Sequence, residues 1–151
     1  MTGLPLIGCA ALILLLLPIL VLQAEKRPIA DRFHILLAAA GIGFAALSRG
    51  ASGMALAVAL GLSCLLLMTG IVAALSARCQ VRLLTGGHIK LIAAGTTWLS
   101  PSGALIMLAL SVALYCAVAI LLRTRKAADP RPDMATITVA ALLSAQLMTL
   151  A

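Results

Sequence analysis

The sequence predicts an all-α fold, a multi-pass transmembrane helix bundle of about six helices with both termini outside. Hydrophobic residues make up 64% of the 151 residues and charged residues 10%, with a mean hydropathy of +1.20. Soluble domains carry roughly 25% charged residues. Six apolar runs divide the chain, and its basic residues gather in alternate loops. A chain of this length has room for a single transmembrane domain, residues 1–151.

The apolar runs cover, in chain order, residues 3–22, 34–48, 53–76, 89–99, 103–122 and 134–151. The first run lacks the basic start of a signal peptide, so we expect it to be retained as a helix. The second and fourth runs are short for a hydrocarbon layer about 30 Å thick. We expect them to extend into their flanking loops or to lie inside the bundle. In the third run, Gly53, Ala57 and Gly61 share one face, which favours close packing between helices.

The loops between these runs predict the orientation of the bundle. Loops one, three and five carry 3, 3 and 4 basic residues when Lys90, at the start of the fourth run, is counted with loop three. Loops two and four carry 1 and 0, which accounts for all 11. Because cytoplasmic loops are enriched in Lys and Arg, loops one, three and five are expected to face the cytoplasm. The net charge of +7 is therefore a topology signal, and it also favours contact with anionic lipid head groups.

Several classes of function are disfavoured by composition. The runs contain no Asp or Glu, which argues against an ion or proton transporter. No basic stretch is long or interleaved with aromatic residues, so we predict no nucleic-acid partner. Two His and four Cys without a C-x-x-C pair give no metal site, and we predict no cofactor. His34 is interpreted as an interfacial cap of the second helix, and Trp98 as an interfacial belt residue.

Polar residues cluster in two loops that are predicted to face the cytoplasm, "LQAEKRPIADRF" and "TGGHIKL". In the second stretch, Gly86 and Gly87 are expected to permit a tight backbone turn just before a helix. The run Thr85-Gly-Gly-His-Ile-Lys90-Leu, followed by "IAAGTTW" and Leu-Ser-Pro, resembles the second catalytic motif of the type IV prepilin peptidases. That motif is Gly-x-Gly-Asp-x-Lys-Leu, followed by a small-residue helix that ends in Trp-Leu-Gly-Pro.

The resemblance is to the short, six-helix form found with tight-adherence pilus systems, and it extends over nearly the whole chain. These enzymes are aspartic-type endopeptidases of the bacterial inner membrane that cut prepilin leaders on the cytoplasmic side. By alignment with the family's first motif in "QAEKRPIAD", one catalytic Asp position is occupied by Gln23. The other is occupied by His88. The resemblance carries Gly86, Gly87 and Lys90 over as motif residues.

Replacement of both catalytic positions bears directly on mechanism. An aspartic dyad needs one ionised and one protonated carboxyl group, and the shared site separates their pKa values. The Gln23 amide exchanges no proton near neutral pH, and His88 alone supplies one titrating group. Glu25 is a weak candidate for a substitute acid-base partner of His88, and Asp31 a weaker one. Residues two apart on a helix face different sides, so Glu25 would reach the position of Gln23 only if the helix end unwound.

Three hypotheses about function follow. The first is a pseudoenzyme, a prepilin-peptidase-like membrane protein that acts as a binding or accessory subunit. Its partners would be the lipid bilayer and either a pilin-like protein or a larger membrane complex. The second is an active leader peptidase that works with an altered acid-base pair, so enzymatic activity stays an open question at this point. The third is a small structural membrane protein that shares the ancestry alone.

Overall fold

The chain folds into helices throughout the part that the structure describes, residues 3–25, 30–79, 86–124 and 133–150. The structure is a computed structural model. Its helices are α1 (Gly3–Ala24), α2 (Asp31–Cys79), α3 (Gly86–Thr96), α4 (Pro101–Thr124) and α5 (Met134–Leu150). No strand occurs in those four ranges. The predicted all-α fold class is therefore confirmed.

The prediction of two separate helices in residues 34–48 and 53–76 is confirmed, because α2 consists of two helices that meet at a kink at Gly50, where φ is 70° and ψ is −159°. Glycine adopts this left-handed backbone without the steric penalty that a Cβ atom imposes. The two halves, residues 31–49 and 51–79, fold back on each other, since Ile35 and Ile42 line the same cavity as Val58 and Leu65. One glycine therefore replaces the predicted four-residue connection.

Helix α3 lies at the centre of the structure. Its 11 residues span about 16 Å at 1.5 Å per residue, which is too short to cross a hydrocarbon layer of about 30 Å. Residues 91–99 are all buried, and α3 contacts α2, α4 and α5. The prediction that the fourth apolar run lies inside the bundle, shielded by its neighbours, is confirmed. The helix starts three residues earlier than predicted and ends before Trp98.

Trp98 is a core residue, and its interpretation as an interfacial belt residue was wrong. The side chain is 4% exposed, and its Nε1–H donates a hydrogen bond of 2.9 Å to the carbonyl oxygen of Leu37. Its ring stacks on Phe44 with centroids 5.8 Å apart. The hydrogen bond satisfies the indole nitrogen, which is why Trp98 can be buried so deeply.

Glycine allows the first half of α2 to approach this ring closely. A Cβ atom on Gly41 would lie 2.7 Å from Trp98 Cδ1 and 2.8 Å from Trp98 Nε1. In the second half, Gly53 and Ala57 are buried, and a Cβ on Gly61 would lie 2.9 Å from Thr97 Cγ2. The small-residue face predicted for close packing is therefore used to pack helices.

The outer surface of the bundle is apolar. Helices α1, α2 and α4 contain segments long and apolar enough to cross a membrane, Leu6–Gln23, Asp31–Ala74 and Pro101–Leu122. Large hydrophobic side chains point outward on these helices, including Leu47 at 83% exposed and Leu14 at 71%. Contiguous apolar surface of this kind is rare on proteins that face water on all sides. Length and composition therefore indicate membrane association.

Candidate functional site

Polar side chains gather at one end of the bundle, where the carboxyl end of α1 meets the amino ends of α2, α3 and α5. We call this region the polar end and define it by Gln23, Asp31, His34, His88, Lys90 and Asp133. Two hydrogen bonds tie the helices together here, Gln23 to Asp133 and Lys90 to Asp31. In the sequence, the three segments that carry most of the basic residues lie next to the amino ends of α2, α3 and α5.

Asp133 is the residue on which this region centres, and the sequence analysis did not single it out. It caps the amino end of α5, where its Oδ1 accepts the backbone N–H of Ala135 at 3.1 Å. Its Oδ2 accepts a hydrogen bond of 2.6 Å from Thr136 Oγ1. An aspartate at this position satisfies a free backbone donor and interacts favourably with the helix dipole. The sequence pattern that could have predicted this cap is Asp-x-x-Thr, Asp133 to Thr136, at the start of an apolar run.

Gln23, one of the two positions expected from the sequence to replace a catalytic Asp, contacts Asp133 directly. Its side-chain Nε2 donates a hydrogen bond of 2.9 Å to Asp133 Oδ1. The contact joins the last turn of α1 to the start of α5, although the two residues lie 110 positions apart in sequence. An amide donates to a carboxylate without exchanging a proton near neutral pH. This contact therefore holds two helices together and does not move protons.

His88, the other position expected from the sequence to replace a catalytic Asp, is half-buried at the amino end of α3. Burial lowers the pKa of its imidazole, and the negative charge of Asp133 opposes that shift in part. The ring is thus mainly neutral at physiological pH, because burial disfavours its charged form. The two family positions, Gln23 and His88, therefore both interact with Asp133.

The carboxylate candidates weighed from the sequence occupy other places. Glu25 is exposed in the turn that follows α1, and the charge of a different carboxylate, Asp133, acts on His88. Asp31 forms an ion pair of 2.8 Å with Lys90. Both members of that pair are exposed, so its contribution to stability is small. Its structural effect is to connect the amino ends of α2 and α3.

Two further sequence interpretations were wrong. Gly86 and Gly87 are the first residues of α3, and Gly50 is the glycine with a positive φ among the described residues. A Cβ atom on Gly86 would meet nothing within 4 Å, so no tight turn requires glycine there. His34 is not an interfacial cap, because α2 begins at Asp31 and the His34 side chain is 4% exposed.

Comparisons of the chain with protein-family models, with curated proteins and with solved structures found no match.

Proposed function

We propose that the chain is a multi-pass protein of the bacterial inner membrane, with the polar end facing the cytoplasm. The apolar outer surface and the three long apolar helices support this placement. The basic loops attach at the polar end, as the positive-inside rule requires of a cytoplasmic face. We expect the chain to stay with the membrane pellet after an alkaline wash. Recovery in the soluble fraction would rule out the placement.

Within that setting, the function we propose is that of a prepilin-peptidase-like subunit that binds a partner and does not cut it. The observation that carries this proposal is the hydrogen bond of 2.9 Å between Gln23 and Asp133. Gln23 and His88, the two positions that the resemblance aligns with the catalytic Asp residues, both interact with Asp133. This shared neighbour supports the proposal, and neither position carries a carboxylate.

The chemistry of Asp133 supports the absence of a dyad. Its carboxylate already accepts hydrogen bonds from Gln23, Ala135 and Thr136. A dyad needs a second carboxyl group that keeps its proton and donates it to the scissile carbonyl. The Gln23 amide supplies no such proton. We therefore propose that the polar end binds a pilin-like helix or a larger membrane subunit without cutting it.

A cleavage assay tests this proposal. The purified chain is incubated in detergent with a pilin-like substrate, a short basic leader followed by an apolar helix, and we expect the leader to remain uncut. We expect the double variant Gln23→Asp, His88→Asp to gain cleavage, because it restores both carboxylates. Asp133→Asn should be combined with it, so that no third carboxylate disturbs the pair. Cleavage by the unmodified chain would overturn the proposal.

A second candidate function is leader cleavage by an altered acid-base pair, Asp133 and His88. The observation that favours it is the electrostatic interaction of Asp133 with the His88 ring. A carboxylate that orients an imidazole is an established arrangement for a general base. On this candidate, the unmodified chain cuts the substrate and both Asp133→Asn and His88→Gln abolish cutting. Glu25→Ala is the matched control and should leave cutting unchanged.

A further inference from the structure

A groove runs along the side of the bundle between the two halves of α2 and α3. Its volume is about 370 Å³. Asp31 and Lys90 stand at its mouth, His34 lies inside, and Ala38, Ile42 and Ala94 are among the residues that line it further down. Apart from the mouth and His34, the lining is almost entirely apolar.

The chemistry of the groove changes in a fixed order with depth along α2. The ion pair between Lys90 Nζ and Asp31 Oδ2, 2.8 Å long, lies at the level of the helix end. His34 follows about 4.5 Å deeper, at 1.5 Å per residue. Ala38 and Ile42 extend the apolar part, so the groove from His34 to Ile42 is about 12 Å long. From the mouth inward, the groove thus offers charged groups, then a hydrogen-bonding group, then apolar side chains. A phospholipid has the same order of groups, from its charged head group through its ester carbonyls to its acyl chains.

His34 is the residue that indicates a ligand. It is 4% exposed, and neither ring nitrogen has a hydrogen-bond partner within ordinary geometry among the described residues. The carbonyl oxygen of Ala30 lies near the ring but outside the geometry of a hydrogen bond. Buried polar side chains are nearly always partnered, by protein or by a bound molecule. A group that hydrogen-bonds to the imidazole from within the groove would satisfy it.

We infer that this groove binds one phospholipid with a primary ammonium head group, on the basis of the membrane placement proposed above. One acyl chain lies along Ala38, Ile42 and Ala94, and an ester carbonyl oxygen accepts a hydrogen bond from His34. At the mouth, the lipid phosphate pairs with Lys90 and the lipid ammonium with Asp31. The mouth offers one charge of each sign, which complements a zwitterionic head group. An acidic head group without an ammonium would leave Asp31 facing a second negative charge.

Native mass spectrometry of the full chain tests the site. The chain is stripped of lipid in detergent, exposed to mixed micelles that contain dioleoyl phosphatidylethanolamine, and examined for retained lipid. We expect one lipid per chain. We expect Ala38→Leu, which fills the groove, to reduce retention about tenfold, and Ala39→Leu to leave it unchanged, because Ala39 is exposed beside the groove and does not line it.

His34→Leu separates loss of binding from loss of folding. It replaces an unpartnered buried polar group by an apolar one, so the lipid-free variant should melt no lower than the parent chain. Removal of one hydrogen bond to the lipid should weaken retention about fivefold. A dioleoyl phosphatidylcholine micelle, whose head group has no N–H donor, should be retained less well than the ethanolamine lipid.

Equal retention by the parent chain and Ala38→Leu would overturn the site, and equal retention of the two lipids would overturn the head-group assignment. Recovery of a stoichiometric protein that Ala38→Leu releases would show that a protein segment occupies the groove instead. A chain found in membranes that retains no lipid overturns this inference alone. A chain found in the soluble fraction overturns the membrane placement as well.

Discussion

Gln23→Glu places a second carboxylate against Asp133 and tests the contact that defines the polar end. The amide Nε2 lies 2.9 Å from Asp133 Oδ1, so the variant exchanges an attractive hydrogen bond for a repulsion. The lost hydrogen bond costs about 1 kcal/mol. Two like charges that relax to about 4 Å in water repel by about 1 kcal/mol. The expected loss in the free energy of unfolding at pH 7 is therefore about 2 kcal/mol, or about 4 to 8 °C in melting temperature.

The pH dependence of this loss has a definite sign. Repulsion raises the pKa of the new carboxyl group in the folded state above its unfolded value of about 4.3. The penalty is therefore absent below about pH 4, where the protonated group can donate to Asp133. It grows as the pH rises through the raised pKa. Gln23→Met is the matched control, because it loses the hydrogen bond without adding a charge and should cost about 1 kcal/mol at every pH.

Fluorescence of the chain's single tryptophan provides the assay. Trp98 is the one Trp in the sequence and is 4% exposed, so unfolding in detergent changes its environment. Melting temperatures of the parent chain, Gln23→Glu and Gln23→Met are measured between pH 4 and pH 8. Equal melting of the two variants at pH 7 would refute the reasoning, because it would mean that no carboxylate lies within range of position 23.

Three further expectations follow from the described contacts. Gly41→Ala should cost about 1 to 3 kcal/mol, because its Cβ would lie 2.7 Å from Trp98 Cδ1. Gly43→Ala, whose Cβ meets nothing within 4 Å, should be neutral or slightly stabilising, and equal melting of the two variants would contradict the packing. Asp133→Ala removes both the cap of α5 and the acceptor of the Gln23 hydrogen bond, so it should cost about 2 kcal/mol in thermal unfolding, and undiminished stability would contradict this geometry. Burial lowers the pKa of His88, so stability should fall as the pH drops below about 6.5. His88→Gln should flatten that part of the melting profile, and an unchanged profile would show that His88 does not titrate there.

Hydropathy predicted the helices because the sequence alone shows whether a run is apolar enough and long enough to span a bilayer. The runs 3–22, 103–122 and 134–151 lie close to the observed bounds of α1, α4 and α5. The burial of α3 was also predictable, since 11 residues are too few to span the hydrocarbon layer. The connection at Gly50 could not be predicted in this way, because hydropathy does not distinguish a four-residue loop from a single residue with a positive φ.

The site was harder to predict, because its contacts join residues far apart in sequence. Gln23 and His88 were named as positions that should meet, but their common neighbour Asp133 looked like an ordinary loop residue beside a basic stretch. Trp98 looked like an interfacial anchor, because a sequence does not show that the Leu37 carbonyl is available to its indole N–H. His34 looked like a helix cap for the same reason, since burial depends on which helices surround it.

The most direct test of the proposed binding function is the identity of the proteins that accompany the chain. The chain is purified at its native expression level in a gentle detergent, and co-migrating proteins are identified by mass spectrometry. The proposal predicts a stoichiometric partner, either larger membrane subunits or a pilin-like protein whose leader is intact. A chain that migrates alone, or a pilin-like protein whose leader is cut only in its presence, would contradict it.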